Sequence, residues 1–213
     1  DGALTCTEQM RQGFVGRGSR ADRVGVMLNA CDDRIFRDPV LPEVTANKRG
    51  FHVVTHGTIT KRYGHEFLIH AIALVADRVP GLSLEIIGSG EQQGELQQLV
   101  QGLHLEGIVR FAGFVPIDEL LLRLRAADCG VVSLPLNAET DLIHTYKMQE
   151  YMALGIPVII SRTRAVEHYF DDSSVCFFDG GSVTDLARAI VTLYEEPERR
   201  RALAANALAA YER

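Results

Sequence analysis

From residue 51 onward the chain predicts a doubly wound α/β domain, a parallel sheet with helices on both faces. Three observations carry this. Six short β-branched runs alternate with stretches of helical periodicity. The runs Glu85-Ile86-Ile87 and Val158-Ile159-Ile160 are nearly all apolar, as befits strands covered on both sides. Phe67, Leu68, Ala71, Ile72, Val75 and Val79 recur at helical spacing and give one buried stripe.

In chain order, strands are expected at 51–55, 83–87, 108–111, 130–134, 157–161 and 175–178, with helices near 64–78, 91–103, 117–126, 144–154, 164–170 and 182–196. The first 50 residues read differently: a strand at 3–7, a helix at 8–16 and a strand at 24–28. A polar, irregular stretch with Pro39 and Pro42 follows, resembling a linker more than a βα unit. The expected division is a tail of a preceding domain at 1–28, a linker at 29–50, the α/β domain at 51–196 and a C-terminal helix at 197–213, Pro197 lying near its first turn. Asp1 opens the chain in mid-pattern, which fits a trimmed N-terminal neighbour.

Composition narrows the partners. A net charge of −6 argues against nucleic acid, which wants a basic face, and Lys48-Arg49, Lys61-Arg62 and Arg199-Arg200-Arg201 are too short to supply one. Cys6, Cys31, Cys129 and Cys176 form no CxxC pair and are expected as buried thiols in a reducing compartment. No run approaches the ~18 apolar residues of a membrane span, and no signal peptide opens the chain. A DxD triplet and a GxSxG elbow are missing, and neither a metal nor a serine nucleophile is expected.

In open α/β sheets ligands sit beyond the carboxyl ends of the strands. After the first strand, His56-Gly57-Thr58-Ile59-Thr60-Lys61-Arg62-Tyr63-Gly64 opens a helix, where glycine and helix N–H groups suit a phosphate and two cations add charge. An ordinary βα loop with solvated cations reads the same way. After the second strand, Gly88-Ser89-Gly90 lacks the third glycine of a dinucleotide fingerprint, since Gln93 stands there, and no P-loop occurs. Gly113-Phe114-Val115 after the third strand suits a flat base, although Phe114 reads equally as plain core and Phe111 reads as core. Lys147 and Glu150 share one face of a largely apolar helix. They fit a phosphate and a ribose respectively, or a structural ion pair.

Together these segments resemble the C-terminal domain of GT-B-fold glycosyltransferases, family four of the retaining enzymes. Asn29-Ala30-Cys31-Asp32 with Phe36 resembles its inter-domain element. Gly57 to Gly64 resembles its phosphate loop, and Gly88-Ser89-Gly90 its G-x-G. Val109 to Val115 resembles V-x-F-x-G-x-V, Ala127-Asp128 with Pro135 resembles A-D-x-x-x-x-P, and Glu150 to Val158 resembles E-A-M-A-x-G-x-P-V. The likeness runs over about residues 2–210.

The resemblance implies metal-free, cofactor-free retaining transfer of a hexose from a UDP- or GDP-sugar. Glu150 would take the ribose, Lys147 and Arg62 the diphosphate, and Gly88 with Gly113, Phe114 and Val115 the base. Gly57, Thr58, Gly90, Asp141, Leu142, His144 and Thr145 would complete the donor site. Departures are Leu142 where the family has an acid, with Asp141 one place earlier, Thr58 for its arginine and Tyr63 for its lysine. A subgroup with H-G-T-x-x-x-R-Y-G and D-L-x-x-x-x-K-x-x-E-Y shares these features. The acceptor, a glycan, lipid-linked or small molecule, would be read by the preceding domain, through which any contact with the inner membrane face would run. The fragment alone is expected to be inactive and cytoplasmic. Two other readings keep the fold: a nucleotide-sugar-binding domain without catalysis, and a nucleotide-sugar epimerase.

Overall fold

The computed structural model describes residues 1–37 and 50–212. Most of the expected linker, with Pro39, Pro42 and Lys48-Arg49, lies outside the described residues, as does Arg213.

Near the N-terminus, β1 (Ala3–Thr5) and β2 (Val24–Val26) pair in parallel, joined through α1 (Glu8–Gly16), whose first turn is capped by the Thr7 hydroxyl accepting from Met10 N–H. Within the stretch expected to be irregular, α2 (Asp33–Phe36) makes one turn, capped by Asp32, and buries Phe36. An aspartate cap with an apolar residue four places on was the available signal.

The main sheet has six parallel strands. These are β3 (Phe51–His56), β4 (Leu82–Ile87), β5 (Val109–Gly113), β6 (Cys129–Val132), β7 (Val158–Ser161) and β8 (Cys176–Phe178). Their order, β5-β4-β3-β6-β7-β8, means that the chain winds outward from β3, returns to β3's other side and winds outward again. The switch point lies between β3 and β6, where Val53 faces Cys129 and Val54 faces Gly130.

Helices α3 (His65–Val75), α4 (Gln93–Gly102), α5 (Ile117–Arg125), α6 (Tyr146–Ala153), α7 (Arg164–Glu167), α8 (Val183–Glu195) and α9 (Pro197–Tyr211) connect or flank the strands. Period-two alternation divides the core. Val53, Leu84, Ile86, Val131 and Ile159 face one apolar cluster with α3 and α8, while Val54, Ile87, Val132, Val158 and Ile160 face the other with α5 and α6. Ile69 is buried beside the predicted α3 stripe because α3 packs against α8 and α4 as well as the sheet. Phe111 packs against the first cluster, as expected.

Some elements are shorter than predicted. Strand β6 ends at Val132 because Ser133 turns aside, its hydroxyl donating to the Tyr63 and Gly64 carbonyls of the opposing loop. Helix α6 begins only at Tyr146, since Thr145 is extended and its hydroxyl accepts from Met148 N–H. The expectation of buried thiols holds for Cys129 and Cys176 but not for exposed Cys6, which lies past β1 where a two-stranded sheet offers nothing to cover it; Cys31 is half-buried. No helix among the described residues is long and apolar enough to cross a membrane.

Candidate functional site

At the carboxyl ends of β3, β4 and β5 the loops are stitched together through their backbones. Gly57 N–H donates to Ile87 O (2.8 Å), Ile59 N–H to Ser89 O (3.0 Å) and Gly88 N–H to Gly113 O (2.7 Å). Gly88, at φ +129°, is obligatory: a Cβ there would lie 2.0 Å from Gly57 O, and one on Gly90 would lie 2.2 Å from Ile59 O. What approaches these two glycines is therefore the neighbouring loop. The loops enclose a cleft of about 240 Å³, mostly apolar, lined by Gly57, Thr58, Gly88, Phe114 and Val115 together with His56 and Leu120. Phe114 stands 86% exposed at this cleft. The expected base-side residues thus converge on one slot, with Gly113 behind it.

Beyond β6, α6 carries Lys147 and Glu150. Its height above the sheet is set by Tyr151, fully buried against Gly130, where a Cβ would lie 2.5 Å from the tyrosine ring. Lys147 is 8% exposed. Its Nζ lies 3.8 Å from the centre of the Tyr63 ring, a cation–π contact. Its Cε would be 3.0 Å from a Cβ on Gly57, so the bare glycine makes room for the lysine stem. Among the described residues no carboxylate comes within ion-pair distance of this ammonium. Burial pulls its pKa from 10.5 down to about 8, against the opposing pull of Glu150. Close by, His65 is buried with neither ring nitrogen partnered among the described residues, and burial, reinforced by Lys147, holds its pKa near 3, leaving it uncharged.

Glu150 turns the other way. Its Oε2 lies 2.5 Å from His56 Nε2, while His56 Nδ1 lies 2.9 Å from the Tyr151 hydroxyl. The expected alternative, an ion pair between Lys147 and Glu150, is not formed.

The remaining predicted residues are held for other tasks. Arg62 reaches Glu139 at 3.3 Å on the surface. Asp141 accepts from Arg164 N–H at 2.8 Å and from the Arg164 guanidinium; burial works against its charge, but these bonds hold the carboxyl below the usual range. The Leu142 carbonyl accepts from the Thr7 hydroxyl (3.0 Å), and the His144 carbonyl from Asn29 Nδ2 (2.5 Å). The His144 ring stacks on Phe170, its Nε2 lies 3.0 Å from Gln149 Nε2, and burial lowers its pKa to about 4. Thr145 caps α6. His56, Tyr63 and Tyr151 were not anticipated as site residues. The one local signal was a histidine at the end of the first main strand, directly before Gly57.

Comparison with known proteins follows this geometry. The family model described as "Glycosyl transferases group 1" matches residues 40–209. The lipopolysaccharide core biosynthesis glycosyltransferase LpsE of Rhizobium meliloti is 31% identical over 153 residues, 71% of this chain and 42% of that protein. The D-inositol 3-phosphate glycosyltransferase of Pseudarthrobacter chlorophenolicus is 30% identical over 155 residues, 70% of this chain and 36% of that protein. The chain therefore spans less than half the length of these relatives. Among solved structures, Anabaena Alr3699/HepE in complex with UDP-glucose superposes with a TM-score of 0.78 at 21% identity, covering 98% of this chain and 58% of that one. At that identity the likeness is one of fold.

Proposed function

The chain belongs to the glycosyl transferases group 1 family, and on that premise we propose that it is the donor half of a retaining hexosyltransferase using a UDP- or GDP-sugar. The observation that carries this reading is Lys147: an ammonium buried beside a glycine-lined loop, facing an aromatic ring and lacking a counter-ion among the described residues. A desolvated, unpaired cation is unfavourable unless an anion completes it. A diphosphate is the anion that fits, because the adjoining slot between Gly88 and Phe114 takes a flat base and Glu150 stands on the same helix face to accept ribose hydroxyls.

In this arrangement the base enters the slot against Phe114 and Val115, the ribose meets Glu150, and the diphosphate meets Lys147, with Arg62 swinging from Glu139 to join it. As the bond from the sugar's anomeric carbon to the diphosphate oxygen breaks, negative charge builds on the departing phosphate. The fixed ammonium is better matched to that state than to the intact donor, so it lowers the barrier. No acid stands at Leu142, and Asp141 is engaged by Arg164; the sugar is then read by other groups.

The acceptor belongs to a preceding domain, of which residues 1–28 are the tail. Supporting this, Leu4 on β1, Phe14 on α1 and Met27 just past β2 lie exposed, and the two-stranded sheet they flank is too small to stand alone. Free cysteines fit a cytoplasmic setting. Leu142 favours one second reading, nucleotide-sugar binding without transfer.

Calorimetry of this chain with UDP and with GDP is the test. One of them should bind, with Glu150→Ala weakening it about tenfold or more; binding of neither would overturn the reading. Transfer by the longer protein, lost in Glu150→Ala, separates enzyme from binding domain.

A further inference from the structure

We infer that His56 is a positioning residue that holds the Glu150 carboxylate away from the Lys147 ammonium, so that both charges stay free for a ligand. This rests on the reading of Lys147 and Glu150 as ligand contacts. Opposite charges three residues apart on one helix ordinarily meet, and partial burial strengthens their attraction. Here they are parted by two opposed anchors.

On one side, His56 ends β3, so its backbone is fixed by the central strand of the sheet. Its ring is 6% exposed as a residue and packs edge-on to Tyr151, with centroids 5.1 Å apart at 78°. The Tyr151 hydroxyl holds Nδ1 at 2.9 Å, and Tyr151 is itself wedged over Gly130. Carboxylate oxygens only accept, so Nε2–H donates to Glu150 Oε2 at 2.5 Å and leaves Oε1 without a hydrogen-bond partner among the described residues. On the other side, Lys147 lies over Tyr63 and along Gly57. His56 and Gly57 are adjacent, so one turn of chain after β3 supplies both anchors. Two charges kept apart before binding need no rearrangement when a nucleoside diphosphate arrives, which favours binding by pre-organisation.

The chain has three lysines, Lys48, Lys61 and Lys147, so the ε-carbon NMR signals of a ¹³C-lysine sample resolve the titration of Lys147 directly in the ligand-free protein. The ionisable groups around that ammonium are Glu150 on its own helix and His65, Tyr63 and His56 opposite, of which His65 stays uncharged. His56→Leu releases Glu150 to pair with Lys147, so the lysine midpoint should rise by about one pH unit or more. His56→Gln, which restores an N–H donor, should return it toward the wild-type value, and the His56→Leu/Glu150→Gln double variant should show no rise. Affinity for UDP or GDP at pH 7 should fall about tenfold in His56→Leu and recover in His56→Gln. Should His56→Leu fail to fold, Tyr151→Phe, which frees Nδ1, should move the midpoint in the same direction by less.

An unchanged lysine midpoint in folded His56→Leu, or in Tyr151→Phe where that stands in, overturns the inference. If the wild-type chain binds neither nucleotide, the functional reading fails, while the lysine titration still decides what His56 does.

Discussion

Replacing Lys147 with methionine should make the ligand-free protein more stable while removing diphosphate binding. Methionine keeps the length and flexibility of the stem but carries no charge. Burial depresses the lysine from 10.5 to about 8, and at about 1.4 kcal/mol for each tenfold in proton affinity the charged form costs the folded state about 3 kcal/mol. Because the unfolded chain holds this proton more tightly, the whole cost is present at pH 7 and is relieved as pH rises from about 8 toward 10.5. Methionine removes it at every pH. Against this stands the lost contact with Tyr63, about 1 kcal/mol, so a net gain of about 1–2 kcal/mol is expected at pH 7, vanishing near pH 10.5. Guanidinium unfolding of both proteins at pH 7 and pH 10 reads the stability, and calorimetry with UDP or GDP reads the binding. The advantage of Lys147→Met over the wild type should shrink between those pH values, a difference in which groups common to both proteins, such as the Cys176 thiol that burial pushes up to about 11, cancel. A variant that loses stability at pH 7, or one that binds nucleotide as the wild type does, would refute the reasoning.

Nucleotide affinity in the wild type should decline above about pH 8, as Lys147 sheds its proton in the empty site, and calorimetry across pH 6.5–9.5 checks this. Phe114→Ala removes an exposed ring, so melting should hold to within about 0.5 kcal/mol. UDP affinity should nonetheless fall by about 1–3 kcal/mol with lost stacking, pyrophosphate affinity staying unchanged. Gly88→Ala places a Cβ 2.0 Å from Gly57 O at φ +129°. A loss of about 3 kcal/mol or more is expected in thermal melts, well beyond what Gly94→Ala, which meets nothing within 4 Å, should cause.

Much of the fold was legible because it rests on local regularities. Apolar runs such as Val158-Ile159-Ile160 can be little other than strands covered on both faces, and all six predicted strands appear in the parallel sheet. Boundaries were less legible where side chains from distant loops decide them. Ser133 leaves β6 to reach the loop at Tyr63, a partner seventy residues away. The turn at α2 depends on Phe36 finding a core to which the local pattern does not point.

Of the site, the sequence alone determined the cast: a glycine-bearing loop after the first main strand, an apolar-flanked glycine after the third, and a lysine and a glutamate on one helix face. Spacing could not tell whether that lysine and glutamate pair with each other. Only the tertiary structure decided it, because the answer lies with residues far along the chain. His56 takes the glutamate and Tyr63 takes the lysine, each about ninety residues before its partner in sequence. Gly88-Ser89-Gly90 was legible only as a G-x-G short of a dinucleotide fingerprint. That the backbone of Gly57 and Ile59 approaches these glycines was written in the packing of neighbouring parallel strands, which no local pattern encodes.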